Sequence, residues 1–225
     1  MAPGAASPAA SGHKTLRVAE IFHSLQGEST RVGLPTVFIR LTGCPLRCVW
    51  CDSAYAFNGG TGMSVDAVLD AVASHACPTV CVTGGEPLAQ AACLDLLARL
   101  CDVGYSVSLE TSGALDIGAV DARVVRVMDL KAPASGECDK NLWPNLGHLR
   151  AQDEIKVVLA DESDYLWARD CLRNRRLEAI CAVLFAPVQE SLDPVQLAEW
   201  ILRDRLPVRF QLQLHKLLWG NERGR

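Results

Sequence analysis

No uninterrupted apolar run in this 225-residue chain approaches the roughly 20 residues needed to cross a bilayer. Nor is there a basic segment leading into an apolar one near the start. Residues 1–12, rich in Ala, Pro, Ser and Gly, read as a loose tail rather than a secretory signal. Positive charge is also scarce: 22 Lys and Arg against 26 Asp and Glu give a net charge of -4. That balance leaves no broad electrostatic footprint for nucleic acid, and no direct nucleic-acid binding is expected. With no sign of export or of a membrane, the ten cysteines suit a reducing cytoplasm better than a disulfide framework. What remains, 49% hydrophobic and 21% charged, is an ordinary globular composition. The length suits one domain over 15–225 behind a flexible tail over 1–14.

The most informative absence is local. Cys44, Cys48 and Cys51 are spaced to converge on one small inorganic centre, yet no fourth cysteine lies beside them. Closed zinc sites and iron–sulfur clusters both usually take four protein ligands. Three thiolates on a four-iron cube would leave one iron open to a small molecule, with Val49 and Trp50 placed to shield it from water. From spacing alone, a zinc knob or three merely neighbouring thiols remain alternatives. The other seven, Cys77, Cys81, Cys93, Cys101, Cys138, Cys171 and Cys181, fall within apparent helices and strands and read as small buried hydrophobes.

Apolar, β-branched runs predict strands over 15–22, 36–41, 79–83, 105–109, 124–128, 154–159, 179–185 and 208–214. Helices are expected from an N-cap at Ser64 to about 75, over 88–101, from an acidic start at 161, and over 193–203. Residues 23–28 read as a loop. Polar or glycine-containing segments follow strand after strand: the cysteine loop, Gly84-Gly85-Glu86-Pro87, Glu110-Thr111-Ser112-Gly113, Asp129-Leu130-Lys131 and His215-Lys216. Such repetition implies a parallel α/β sheet with helical crossovers and with its chemistry at the strand ends. The crossovers are too few for an eight-fold barrel. An open, incomplete βα barrel is expected, with a doubly wound sheet as the competitor.

The triplet Cys-x3-Cys-x2-Cys, with Trp50 before the last cysteine, resembles the cluster motif of the radical S-adenosylmethionine (radical SAM) superfamily. Gly84 to Pro87 resembles that superfamily's SAM-contacting segment. The likeness implies a [4Fe–4S] cluster on Cys44, Cys48 and Cys51, whose open iron binds the amino and carboxylate groups of SAM. One electron then cleaves SAM to a 5′-deoxyadenosyl radical. Polar side chains of 110–113 and 129–131 are candidates for the ribose and the methionyl carboxylate.

A narrower resemblance runs from about 18 to 215. Phe22-His23-Ser24-Leu25-Gln26-Gly27-Glu28, Phe38-Ile39-Arg40-Leu41-Thr42-Gly43-Cys44, Cys51-Asp52-Ser53 and Gln213-Leu214-His215-Lys216 are similar to the family of 7-carboxy-7-deazaguanine synthases. It implies a partial barrel, a homodimer, and conversion of 6-carboxy-5,6,7,8-tetrahydropterin to 7-carboxy-7-deazaguanine with loss of ammonia, in queuosine or deazapurine synthesis. By position, Leu25, Gln26 and Gly27 would bind the pterin, Arg40 its carboxylate, and Thr83 and His215 the substrate. SAM would meet Trp50, Cys51, Asp52, Gly85, Asp129, Leu130 and Lys131, and the backbone of Ala186, Pro187, Val188 and Gln189. Ser53, where the family often has Thr, would be a Mg²⁺ ligand. No catalytic side chain is implied, because the SAM radical carries the chemistry. An electron donor such as flavodoxin or ferredoxin is. Residues 217–225 continue past the point where some members end, so no terminal carboxylate is assigned to the substrate. Taken without the family, Arg40 reads as the partner of an internal carboxylate and His215 as a satisfied core histidine.

Overall fold

The computed structural model describes residues 15–220 and 222–225; the tail expected over 1–14 lies outside the described residues. Its centre is an open nine-stranded sheet in the order β3-β1-β2-β4-β5-β6-β7-β8-β9. Strands β1 (Thr15–Leu25) and β2 (Pro35–Leu41) form an antiparallel pair, and β3 (Thr61–Ser64) lies antiparallel on the other side of β1. From β2 onward every neighbour is parallel: β4 (Thr79–Gly84), β5 (Ser106–Thr111), β6 (Val125–Lys131), β7 (Glu154–Leu159), β8 (Ala182–Pro187) and β9 (Arg209–Phe210). This is the expected mostly parallel, incomplete barrel.

Side-chain alternation divides the sheet into two faces. Ile39, Val80, Val82, Leu109, Met128, Ile155 and Val157 belong to the hydrophobic core. Helices α1 (Val65–Ala73), α2 (Ala92–Asp102), α3 (Glu162–Arg175) and α4 (Pro194–Asp204) add Val68, Leu96, Leu97, Tyr165, Leu172 and Leu197 to it. The other face carries Arg40, Thr83, Glu110, Asp129 and Lys156 into a single cavity. Register aligns Arg40 with Thr83 and Asp129 with Lys156. Side-chain caps fix three of the helix starts: Ser64 accepts from Ala67 N, Asp161 from Asp164 N, and Asp193 from Val195 N with Pro194 following.

Several boundaries differ from the sequence reading. Strand β1 runs on through Leu25, because β2 pairs with it as far as Leu25 opposite Pro35. The helix expected from 88 starts only at Ala92. Gln90 is held in an extended conformation, donating to Arg17 O (3.0 Å) and Thr42 O (2.9 Å) and accepting from Arg17 N (2.8 Å). Strand β8 begins at Ala182, after a 3₁₀ turn over Leu177–Ala179, and includes Ala186 and Pro187. The strand expected over 208–214 shrinks to two residues, and His215 rides on α5 (Leu214–Trp219). There Gln211 N still donates to Phe185 O (2.9 Å), while its side-chain amide exchanges hydrogen bonds with the Ser29 backbone (2.9 and 3.0 Å) and the chain turns off the sheet. Among the described residues no helix is long and apolar enough to cross a membrane.

Candidate active site

The polar face of the sheet, the cysteine loop and the segment around α5 enclose a cavity of about 640 Å³. Cys44, Cys48 and Cys51 are half-buried on its wall. Their loop turns through a Cys51 N to Cys48 O hydrogen bond (3.2 Å) and is held from outside by Val49 N to Ser135 O (3.1 Å) and Arg47 N to Glu137 Oε1 (2.5 Å). Burial pushes the Cys44 and Cys48 thiols up from their ordinary values. Val49 does not shield the site as expected. It sits at the outer corner of this turn, 77% exposed, and buried Leu46 lines the cavity instead.

The Gly84-Gly85-Glu86 backbone docks directly on the cysteine loop. Gly85 N donates to Leu41 O (3.0 Å) and Glu86 N to Gly43 O (2.7 Å). A Cβ on Gly85 would collide with the Gly43 carbonyl and lie 2.9 Å from Cys44 Cβ, so glycine is needed for close approach. Gly85→Ala is therefore expected to cost about 1–3 kcal/mol of stability as an overpacked site. On the expectation that SAM meets Gly85, parting the two loops should also weaken SAM binding about tenfold, or about 1.4 kcal/mol. Equilibrium dialysis with SAM checks the second effect, and unchanged affinity would contradict it.

Glu86 is a structural anchor. Fully buried, it accepts from Leu88 N (3.0 Å), Thr111 Oγ1 (3.0 Å), Ser112 N (2.7 Å) and Ser112 Oγ (2.6 Å). Thr111 and Ser112, expected near the ribose, line the cavity while giving their hydroxyl hydrogens to Glu86. Glu110, on the same strand, faces the cavity. Burial raises its carboxyl above the ordinary range, and the Cys81 thiol donates to it (3.9 Å).

A chain of alternating charges crosses the floor. Lys131 Nζ meets Asp129 Oδ2 (2.9 Å), Lys156 Nζ lies 3.8 Å from that oxygen and 2.6 Å from Glu28 Oε2, and Gln213 Nε2 donates to Glu28 Oε1 (2.5 Å). Burial alone would raise the Glu28 carboxyl, but Lys156 and these hydrogen bonds outweigh it and bring it down to about 2. Sequence reasoning singled out neither Glu28 nor Lys156. A lysine between Ile155 and Val157 on a buried strand was the available sign for the latter.

Most of the expected residues do meet here. Leu25, Gln26, Gly27, Arg40, Trp50, Cys51, Asp52, Ser53, Thr83, Gly85, Asp129, Lys131, Val188, Gln189 and His215 all line the cavity. Leu130, Ala186 and Pro187 do not. Leu130 points into the core, and Ala186 and Pro187 are buried within β8. Gly27 packs so tightly against His215 that a Cβ would overlap the ring, and Leu214 N donates to Gly27 O (2.9 Å). Burial lowers the His215 pKa, favouring the neutral imidazole. Arg40 does pair with an internal carboxylate, giving Nε to Glu20 Oε1 (2.8 Å), while its side chain still borders the cavity.

Among the described residues no three His, Cys, Asp or Glu side chains gather tightly enough to hold a single metal ion. Three separated, half-buried thiols facing a cavity instead suit a cluster in which each of three irons takes one thiolate. Backbone of the Gly84–Gly85 segment adjoins them for a ligand on the fourth iron.

Residues 38–129 match the model of the radical SAM superfamily. The fold is similar to that of QueE from Escherichia coli, with a TM-score of 0.76 at 22% identity over 91% of this chain and 96% of that one. It is less similar to Streptococcus suis SuiB bound to the precursor peptide SuiA, with a TM-score of 0.55 at 15% identity over 75% of this chain and 46% of that one. Open sheet, thiol loop and sequence match together define a radical SAM protein, which uses a [4Fe–4S] cluster and SAM.

Two full-length likenesses narrow the class. The chain is 45% identical over 208 residues to the 7-carboxy-7-deazaguanine synthase of Chlorobaculum tepidum, covering 91% of this chain and 94% of that protein. It is 42% identical over 222 residues to the one of Koribacter versatilis, covering 92% and 98%. The chain belongs to the 7-carboxy-7-deazaguanine synthase family.

Proposed function

We propose that this chain converts 6-carboxy-5,6,7,8-tetrahydropterin to 7-carboxy-7-deazaguanine with release of ammonia, reusing SAM as its radical source. The observation that carries the reading is the ladder Arg40, Thr83, Glu110, Asp129 and Lys156, aimed into the same cavity as the cysteine triplet. Held by Cys44, Cys48 and Cys51, the cluster with SAM would supply the radical chemistry for hydrogen abstraction from the pterin. The protein's part is binding and orientation. Arg40 commits its Nε to Glu20, which leaves the terminal nitrogens of the guanidinium for the substrate carboxylate. Buried Glu28 and half-buried Glu110 provide acceptors for the N–H groups of the pterin, and Thr83 and the Leu25–Gly27 backbone border its ring.

Asp129 and Lys131, the part of the charged floor that acts on the Cys48 thiol, suit the polar groups of SAM. Ser53, near Cys51 (3.9 Å between Oγ and Sγ), would hold Mg²⁺ with water against the substrate carboxylate. Residues 15–225 act as one catalytic domain in the cytoplasm. Exposed Leu202, Phe210, Leu217 and Leu218 offer apolar surface for a homodimer, and exposed Val49 marks the cluster side for a donor such as flavodoxin or ferredoxin.

Anaerobically reconstituted protein given 6-carboxytetrahydropterin, SAM, reductant and Mg²⁺ should form the deazapurine, with several products per SAM consumed. Turnover of SAM to 5′-deoxyadenosine without any deazapurine would refute the substrate while leaving the radical chemistry intact.

A further inference from the structure

The carboxylate end of the cavity contains a charged side chain that the proposed function does not use. Glu20 accepts from both Arg40 Nε (2.8 Å) and Tyr55 Oη (2.6 Å), so the positive charge of Arg40 is already balanced by a neighbour. Burial, and then the hydrogen bond to Glu20, push the Tyr55 phenol up to about 12, so it stays protonated and adds no charge. The Arg40–Glu20–Tyr55 cluster is therefore neutral overall, a poor attractor for an anion.

Arg223 changes that sum. Its Cζ sits 4.0 Å from the centroid of the Tyr55 ring, and Arg40 Cζ lies 5.9 Å from the same centroid. A planar guanidinium stacked on an aromatic face keeps its in-plane N–H groups free for a carboxylate. Its neighbours are paired with each other, Arg225 Nε lying 3.2 Å from Glu222 Oε1. Among the described residues no carboxylate pairs with Arg223. It lines the cavity, on the segment that follows α5.

We propose that Arg223 is a second carboxylate-recognising residue, which adds an unpaired guanidinium beside Arg40 at this end of the cavity and sets the preference for a carboxylated pterin. The inference rests on the pterin reading above. Arg40 fixes the position of the carboxylate, while Arg223, more exposed and held by stacking alone, supplies the uncompensated charge that draws the anion in.

The test compares 6-carboxypterin with 6-methylpterin, which lacks the carboxylate, by quenching of their own fluorescence on the reconstituted full chain. Wild type should bind 6-carboxypterin at least about tenfold more tightly than 6-methylpterin, as one charge-assisted contact allows. Arg223→Ala should lose about tenfold for the carboxylated ligand and less than about twofold for the other, with Arg223→Lys in between. In turnover, KM should rise by the same factor with kcat within about twofold, the mark of lost uniform binding. Equal losses for both ligands, or an Arg223→Ala protein within twofold of wild type for 6-carboxypterin, would overturn the inference and spare the pterin reading. A wild type that binds neither pterin would overturn both.

Discussion

Serine in place of any one of Cys44, Cys48 or Cys51 is expected to cut formation of 5′-deoxyadenosine by at least about a thousandfold, equivalent to about 4 kcal/mol of barrier. Iron in a cubane prefers soft thiolate, and a serine hydroxyl neither ionises as easily nor bonds it as well. With only three protein thiolates there is no spare ligand to take over. The folded chain should survive, because these side chains contribute little to the scaffold. Cys44 Sγ accepts one long bond from Leu46 N (3.4 Å), and Cys51 Sγ lies 3.9 Å from Ser53 Oγ. Iron and sulfide analysis with visible absorbance should show a lost or depleted cluster in each variant, beside an unchanged far-UV circular dichroism spectrum. Cys171→Ser, on α3, serves as the control and should keep both cluster and activity. A Cys48→Ser protein with full iron content and wild-type SAM cleavage would refute the assignment of the triplet.

Lys156→Met should destabilise the fold by about 3–5 kcal/mol at pH 7, since it strands Glu28 as a buried charge without its counter-ion. The same change should reverse the acid response. In wild type the Glu28 carboxyl lies at about 2 when folded, against its ordinary 4.5. Its contribution, about 3 kcal/mol, is thus complete above pH 4.5 and is lost as pH falls toward 2. Without Lys156, burial governs and the folded carboxyl rises above its ordinary value. The folded state then holds the proton more tightly than the unfolded one, and stability falls as pH rises through that range. Urea unfolding at pH 5 and pH 7 should therefore show the variant gaining stability at the lower pH. Adding Glu28→Gln to Lys156→Met should recover most of the loss, because the pair is coupled. Matching urea midpoints for wild type and Lys156→Met at pH 7 would show that the ion pair carries no weight.

The cysteine loop and the Gly84–Pro87 turn were legible because each is a short local pattern whose spacing is itself the chemistry. So was the parallel sheet, whose buried strands appear as β-branched runs such as Val80-Cys81-Val82. Features decided at a distance were not. Residues 208–214 have strand-like composition, but Gln211 is claimed by Ser29 across the fold, and the strand stops at Phe210. Gln90 delays α2 for a similar reason, its amide being spent on β1 and Thr42. Lys156 escaped notice because its strand reads as apolar, and only the pleat separates its cavity face from the core face. Thr111 and Ser112 line the cavity as their position after a strand suggests, but nothing local announces that their hydroxyls also donate to buried Glu86.

The Gln213–Glu28 bond joins positions 185 apart in the chain, and Leu214 to Gly27 closes the same loop. Closing so long a loop is entropically costly, and contacts of this span form late. The thiol loop, by contrast, lies directly after a local hairpin. During translation Cys44, Cys48 and Cys51 thus leave the ribosome well before Gln213, His215 and Lys216, which complete the cavity wall. A nascent chain therefore passes through a stage in which its three thiols are already outside while one wall of the cavity they face is still missing.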